Sequence, residues 1–151
     1  MERTLVILKP DALQRRLIGR LIARFEAKGL KLVALKMMRV TPELAARHYA
    51  EHQGKPFYAP LMAFITRAPV VVMALEAPGV VAMVRRLVGK TCGAEAEPGT
   101  LRGDFGVSNR YNLIHASDSP DSAARELALF FAAEELLDYP MPDESLISEL
   151  L

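Results

Sequence analysis

The segment HYAEH, from His48 to His52, places two histidines four positions apart with a glutamate beside the second. The pattern H-x-x-E-H occurs in zinc peptidases, where the imidazoles bind the metal and a carboxylate can serve as general base, here Glu51. Positions i and i+4 share one face of a helix, so both rings could reach one ion. Five-residue patterns arise often by chance, however, and an exposed helix turn would show the same residues. The spacing alone is weak evidence for zinc, and a third ligand would still be needed.

The third histidine, His115, lies in the segment NLIHASDSP, among small polar side chains at the end of a predicted strand. A neutral imidazole is a good nucleophile near neutral pH. A carboxylate bonded to the ring's other nitrogen would fix the tautomer and raise the nucleophilicity. Glu126, on the following predicted helix, could fold back to supply it. His115 is therefore a candidate nucleophile, against the alternative of an ordinary core or surface histidine.

Cationic and hydroxyl residues precede this third histidine along the chain, namely Arg85, Lys90, Thr91 and Arg102. Taken singly, each is most simply a solvated surface residue. Together with Lys9, at the end of the first predicted strand, they could converge on a polyphosphate, because phosphoryl transfer depends on alignment and on donors around the phosphate oxygens. The sequence has neither a Walker A pattern nor a G-x-G-x-x-G loop. Such a site would therefore be assembled from side chains.

Short apolar stretches bounded by turn residues predict four strands. The first, Thr4 to Leu8, is apolar almost without interruption, which is typical of a strand buried on both faces. The others are Leu30 to Val40, Pro69 to Glu76 and a short strand within NLIHAS.

Apolar residues at helical spacing predict helices between these strands. We expect one to contain Ile18 to Phe25, one to begin at the Thr41-Pro42 cap and end soon after His52, and one to span Val80 to Val88. The glycine-rich stretch Lys90 to Asn109 is expected to hold little regular structure. A last helix begins at Ser119-Pro120, with one predicted face made of Ala124, Leu127, Ala128 and Phe131. Alternating strands and helices predict an α/β or α+β fold.

Length and composition narrow the class of protein. The 151 residues, 51% hydrophobic, suit a single domain spanning residues 1–151 with a real core. A net charge of +1 gives no basic field for nucleic acid, and the single cysteine, Cys92, excludes an internal disulfide and a thiolate zinc cluster. The apolar run near the start is too short for a signal peptide or a membrane span. We expect a cytoplasmic protein without a membrane or nucleic-acid partner.

The segment NLIHASDS resembles the N-x-x-H-[GA]-S-D signature of the nucleoside diphosphate kinases. The similarity extends over essentially the whole chain in the family's order. It includes the segments KPD, HYAEHQGKPF, FITRAPVVVMALE, PGTLRGDF and ARELALFF. The resemblance implies a phosphotransferase that moves the γ-phosphoryl group of a nucleoside triphosphate, typically ATP, to a nucleoside diphosphate by a ping-pong mechanism. It also implies broad base and sugar tolerance and a role in maintaining nucleoside triphosphate pools.

By the same resemblance, His115 is the residue that carries the phosphoryl group. Glu126 matches the acid that orients the imidazole, with Ser117 supporting it, and Tyr49 matches the tyrosine beside the histidine. His52 is then expected near the phosphates, and His48 is expected to be structural or exposed. The nucleotide-binding positions implied by the resemblance are Lys9, Phe57, Arg85, Thr91, Arg102 and Asn112.

Within that set, Lys9 and Asn112 match the residues that hold the ribose hydroxyls and the nearby phosphate, and Lys9 is counted with the catalytic group. Phe57 matches the aromatic residue that stacks on the base. The family uses Mg²⁺, and we expect it to arrive on the nucleotide phosphates, with no metal ligand from protein side chains, because Mg²⁺ keeps its waters and seldom needs a protein cage.

The implied fold is a ferredoxin-like sandwich, a four-stranded antiparallel sheet with helices packed on one face. Family members form hexamers or tetramers, and the hexamer is favoured here because the ending from Asp138 to Leu151 differs from the family's usual one. Three further departures leave loop conformation and subunit packing open: Ala12, Cys92-Gly93 and the step Asn109 to Tyr111.

Two other functions remain as alternatives to the kinase. A metallopeptidase would carry stoichiometric zinc, which elemental analysis would detect. A regulatory or nucleic-acid-binding module on the same scaffold would show no turnover, and it would be expected to have lost some of the matched residues. None of them is missing.

Overall fold

A computed structural model describes residues 1–142 of the chain. The four strands are β1 (Glu2–Leu8), β2 (Lys31–Met38), β3 (Val70–Ala77) and β4 (Ile114–Ala116), in the order β2-β3-β1-β4. Every neighbouring pair is antiparallel, and this order confirms the predicted ferredoxin-like, four-stranded antiparallel sheet. Residues 143–151, most of the ending that favoured a hexamer, lie outside the described residues.

The helices alternate with these strands and cap as the sequence predicts. The hydroxyls of Thr41 and Ser119 accept hydrogen bonds from Leu44 N and Ser122 N, satisfying backbone donors in the first turn. Across residues 1–142, no helix combines the length and apolar character needed to cross a membrane. The helices are α1 (Pro10–Gln14), α2 (Ile18–Ala27), α3 (Pro42–His48), α4 (Tyr58–Thr66), α5 (Val80–Val88), α6 (Leu101–Phe105) and α7 (Pro120–Phe130).

Helices cover both faces of the sheet, so the expectation that they pack on one face is wrong. In β1, Leu5 and Ile7 join the core beneath α3, α4 and α7, whereas Val6 and Leu8 join the core beneath α2 and α5. All four side chains are 0% exposed. The uninterrupted apolar run in β1 requires this arrangement, because alternate side chains point to opposite faces and neither set can face water.

Several local predictions differ from the structure. α3 ends at His48, and a separate 3₁₀ turn, Ala50–His52, follows, so the two histidines of the H-x-x-E-H pattern do not sit on one continuous helix. α1, α4 and α6 were not predicted, and α6 lies within the stretch Lys90 to Asn109 that was expected to hold little regular structure. α4 is apolar on most sides and carries Pro60 in its first turn, where a proline is tolerated.

The predicted face of α7 is also partly wrong. Ala124 and Ala128 are exposed, and the buried positions within the helix are Ala123, Glu126, Leu127 and Phe130. The helix is rotated so that a carboxylate enters the protein interior. An apolar-face rule assigns charged residues to the outside, so it cannot anticipate this rotation.

Two of the three departures from the family pattern, Cys92-Gly93 and the step Asn109 to Tyr111, lie where the chain is closely packed. The backbone of Gly93 approaches that of Gly106 so closely that a Cβ atom at Gly93 would lie 2.2 Å from the Gly106 carbonyl carbon. Tyr111 packs edge-on against Phe64, with ring centroids 5.4 Å apart, and the Arg67 guanidinium lies over both rings. The segment between α5 and β4 therefore packs against itself at Gly93 and against α4 at Tyr111.

Two glycine-to-alanine substitutions should have opposite effects on stability. Gly93→Ala should lower the free energy of unfolding by about 1–3 kcal/mol, because the new methyl group meets backbone that must move. Gly19→Ala should raise it by about 0.5–1 kcal/mol, because Gly19 lies in α2 and a Cβ atom there has nothing within 4 Å. Urea denaturation at one protein concentration measures both. Equal effects of the two substitutions would contradict the close approach at Gly93.

Candidate active site

Strand β4 positions His115 at the edge of the sheet. The strand pairs with β1, with His115 opposite Ile7, and its neighbours Ile114 and Ala116 belong to the core beneath α2 and α5. Because side chains alternate along a strand, His115 projects to the other face. Its side chain is 24% exposed there, while its ring edge meets α3 and α7.

The His115 imidazole is bonded to the Glu126 carboxylate of α7 through Nε2. Glu126 is only 3% exposed. An ionised carboxylate can only accept hydrogen bonds, so Nε2 carries the ring proton and the other nitrogen, Nδ1, keeps its lone pair. No hydrogen bond to Nδ1 is formed within residues 1–142. This is the contact between the two side chains that the sequence suggested, and it leaves Nδ1 as the ring nitrogen with a lone pair.

His48 is buried beside this pair rather than exposed. Its ring lies edge-on to that of His115 with centroids 4.7 Å apart, and it also packs on Tyr49 and Phe130. Burial, reinforced by nearby positive charge, lowers the pKa of His48 to about 2, so the ring is neutral at ordinary pH. Neither of its nitrogens has a hydrogen-bond partner in the described part of the chain.

The zinc-peptidase interpretation of H-x-x-E-H is wrong. Within residues 1–142, the one group of three possible metal ligands in mutual reach is His48, His115 and Glu126, whose ligand atoms lie within 4.8 Å of one another. His52 and Glu51 are not in that group. The break after α3 separates the two histidines of the motif.

The turn before β4 is held by Asp11, whose contribution the sequence did not reveal. Leu113 is fully buried with a φ of 72°, a left-handed conformation that is uncommon for a residue other than glycine. Its N–H donates to Asp11 Oδ2 at 3.0 Å, and its carbonyl accepts from Lys9 N at 2.8 Å. Asp11 is therefore a positioning residue for the start of β4. The one sequence signal for this role was the position of Asp11 directly after Lys9-Pro10.

Lys9 and Asn112 form a buried polar pair at the floor of the site. The Lys9 ammonium donates to Asn112 Oδ1 at 2.8 Å, and the Asn112 amide donates to the Thr91 carbonyl at 3.1 Å. Burial, with Arg102 nearby, lowers the pKa of Lys9 to about 8. The ammonium is thus a cation that loses its charge just above neutral pH.

Arg102 both supports the backbone around the pocket and lines the pocket itself. It is 5% exposed, and its guanidinium donates to the carbonyls of Gly89, Asn112 and Ile114. Burial, with Arg85 close by, lowers its pKa to about 10, which still leaves it charged at neutral pH. Arg85 is exposed and donates to the Ala116 carbonyl at 3.2 Å.

These side chains line one pocket of about 440 Å³. Phe57 lies at its rim, 49% exposed, and His52 also lines it. Two expectations are not met: Lys90 is exposed and does not line the pocket, and the Ser117 hydroxyl bonds to the backbone of Leu5 rather than to Glu126. The predicted residues that line the pocket are Lys9, Tyr49, Phe57, Arg85, Thr91, Arg102, Asn112, His115 and Glu126.

A second, larger depression of about 760 Å³ lies away from this pocket. Its charged residues neutralise one another, since Glu76 pairs with both Arg3 and Lys31. It holds no candidate nucleophile among its lining residues. Of these two depressions, the pocket at His115 is the one with the chemistry for group transfer.

The chain is similar to known proteins over most of its length. Residues 2–136 match the family model described as nucleoside diphosphate kinase. A nucleoside diphosphate kinase of Rhodopirellula baltica is 59% identical over 93% of each chain, and one of Methanothermobacter thermautotrophicus is 52% identical over 99% of each.

Solved structures give the same result. A halophilic nucleoside diphosphate kinase from Halobacterium salinarum in complex with CDP superposes with a TM-score of 0.94, at 47% identity over 97% of each chain. A nucleoside diphosphate kinase family protein from Babesia bovis gives a TM-score of 0.95, at 46% identity over 97% of this chain and 99% of that one. With its fold, its histidine-centred pocket and its relatives in agreement, the chain belongs to the nucleoside diphosphate kinase family, enzymes that transfer a phosphoryl group between nucleotides through a phosphohistidine.

Proposed function

We propose that His115 is the residue of this chain that takes the γ-phosphoryl group from a nucleoside triphosphate and passes it to a nucleoside diphosphate. One observation carries the assignment: Nε2 of His115 is bonded to the buried Glu126, while the ring itself lines a pocket with four cationic side chains, those of Lys9, Arg85, Arg102 and Arg125. Glu126 acts as a positioning residue, because it holds the tautomer in which Nδ1 can attack.

In the first half-reaction the lone pair of His115 Nδ1 forms a bond to the γ-phosphorus. The bond between that phosphorus and the bridging oxygen breaks, and its electron pair leaves on the β-phosphate of the nucleoside diphosphate. The ring gains positive charge, which the adjacent Glu126 carboxylate stabilises. A second nucleoside diphosphate then attacks the phosphohistidine by the reverse path, so no proton has to leave Nε2 in either half.

The remaining pocket residues bind the nucleotide. We assign Arg85 and Thr91 to the phosphates, and Lys9 with Asn112 to the ribose hydroxyls and the nearest phosphate. Arg102 supplies positive charge while its donors hold backbone carbonyls. Preorganised cations of this kind stabilise charge that develops on the transferring group. Tyr49 completes the wall by packing on the ring of His48.

The exposed aromatic ring at the rim of the pocket accounts for broad base tolerance. Phe57 offers one half-exposed ring, and every nucleobase has a π-face that can stack on it. The CDP bound to the Halobacterium relative shows that a pyrimidine nucleotide is accepted by that protein. We therefore propose that the chain exchanges phosphate among nucleotides of different bases and so maintains nucleoside triphosphate pools.

Enzymes of this family generally need a divalent metal, and we propose Mg²⁺ carried by the nucleotide. The one three-ligand group within residues 1–142 contains two imidazoles, whereas Mg²⁺ prefers oxygen ligands. The donors of the pocket thus fit an ion that is held by phosphate oxygens and waters. When bound, Mg²⁺ would offset the charge of the β- and γ-phosphates, leaving Lys9, Arg85 and Thr91 to align them.

We also propose that residues 1–151 form one domain, that the chain assembles as a homo-oligomer, and that it is cytoplasmic. Leu35 and Met37 are 48% and 61% exposed on the edge strand β2, an apolar surface suited to a second copy of the chain. A hexamer is preferred over a tetramer. One cysteine in the whole chain is consistent with a reducing compartment.

Brief exposure of the purified protein to ATP and Mg²⁺ should leave one acid-labile phosphate per chain, mapped by mass spectrometry to His115. His115→Gln should take up none, because the amide has no nucleophilic lone pair on nitrogen. Circular dichroism of the variant serves as the folding control. A phosphate mapped to another residue, or full labelling of a folded His115→Gln protein, would refute the assignment.

The buried Lys9 predicts an alkaline limit to activity. With a pKa lowered to about 8, Lys9 in the free enzyme loses its charge as pH rises through that value, and kcat/KM for the nucleotide should fall. Bound phosphate favours the ammonium form, so the limit for kcat should lie at higher pH. Lys9→Arg, which stays charged, should move the limit in kcat/KM upward. A profile that stays flat between about pH 7 and about pH 10 would count against this role.

A further inference from the structure

The unassigned feature nearest the reacting ring is His48. It is buried at 4% exposure with both ring nitrogens lacking partners in the described residues, an arrangement that costs free energy unless something else uses a lone pair. Its Nδ1 lies 3.9 Å from Glu126 Oε1, and its ring meets that of His115 edge-on. The proposed phosphoryl transfer gives His48 no part.

We propose that His48, His115 and Glu126 form a binding site for Zn²⁺, and that zinc bound there turns His115 off. The inhibitory effect rests on the proposed function, whereas the binding does not. The ligand set is two imidazoles and one carboxylate, which zinc uses in sites that keep a fourth position open. Here the fourth position would face the nucleotide pocket, the side on which His115 is exposed.

The distances require only small movements. Zinc bonds of about 2.0–2.2 Å in a tetrahedron place ligand atoms about 3.3 Å apart. The 3.9 Å between His48 Nδ1 and Glu126 Oε1 is slightly longer than this value. The Glu126 contact with His115 Nε2 is a hydrogen bond, so that pair would open as the ion enters between them. Rotation of the Glu126 side chain would both shorten its distance to His48 and open its contact with His115.

Zinc bound at this site would inhibit phosphoryl transfer because it displaces the ring proton of His115. Zinc needs the lone pair of His115 Nε2, so the proton that Nε2 shares with Glu126 must leave that nitrogen. In a neutral imidazole it moves to Nδ1. Nδ1 then has no lone pair for the γ-phosphorus, and the nucleophile is lost although the ring stays in place.

Zinc and magnesium would not compete for this position. Nitrogen ligands bind Zn²⁺ far better than Mg²⁺, which prefers oxygen and keeps its waters. The same enzyme could therefore use millimolar Mg²⁺ on the nucleotide and still respond to traces of zinc. The site senses a transition-metal ion at the atom that performs the chemistry.

The binding test uses metal-free protein without nucleotide, titrated with Zn²⁺ against a chromogenic chelator. We expect one zinc per chain, bound at least about 100-fold more weakly by His48→Phe, which keeps a ring against Tyr49 and Phe130 but removes a ligand. His52→Phe, the same change at the other motif histidine, should leave the affinity unchanged. No stoichiometric zinc, or zinc lost equally in both variants, would overturn the site.

A second measurement reads the position of the His115 ring proton directly in the unaltered protein. Nitrogen-resolved NMR of the His115 ring should show the proton on Nε2 in metal-free protein and on Nδ1 after one equivalent of zinc. Phosphate uptake from Mg²⁺ and ATP should then fall at least about tenfold in the zinc-loaded protein and persist in His48→Phe at the same zinc concentration. An unchanged tautomer, or equal uptake with and without zinc, would overturn the inhibition. Absence of uptake without zinc would instead refute the proposed function.

Discussion

The buried contact between the Glu126 carboxylate and the His115 imidazole is the interaction on which the rest of the arrangement depends. A carboxylate at 3% exposure is costly unless it is paired, and removing one partner of such a pair typically costs several kcal/mol. The pair therefore fixes how α7 rotates over the sheet and where β4 ends relative to it. The same contact decides which ring nitrogen is free, so fold stability and reactivity are coupled through one hydrogen bond.

The scaffold around that pair is held by side chains that bond to backbone. Arg102 holds three carbonyls, and the Asp11 carboxylate, together with the backbone N–H of Lys9, holds Leu113 in its left-handed conformation. Glycine-rich phosphate loops achieve this with backbone amides. Here long cationic side chains both hold the backbone of the segment between α5 and β4 and give the pocket its positive charge. Helices on both faces of the sheet shield those side chains from solvent.

The sequence predicts most of the fold because local rules decide it. The apolar run at Thr4 to Leu8 marks β1, and the caps at Thr41 and Ser119 mark where α3 and α7 begin. Side-chain chemistry suggested six of the nine predicted pocket residues, and the family resemblance added Tyr49, Phe57 and Asn112. The rotation of α7, the break after His48 and the unlikely backbone of Leu113 depend on contacts between distant residues, such as Asp11 with Leu113. No pattern along the chain encodes those contacts.

The position of Phe57 has a consequence for synthetic nucleotide chemistry. A ring that is 49% exposed at the mouth of the pocket can cover one face of a base and leaves its outer edge in solvent. Bulky dyes or affinity handles attached to that edge would project away from the protein. With Phe57 in its proposed role, the chain would be suited to regenerating labelled triphosphates, because the remaining pocket residues would contact only the sugar and phosphates that such derivatives share.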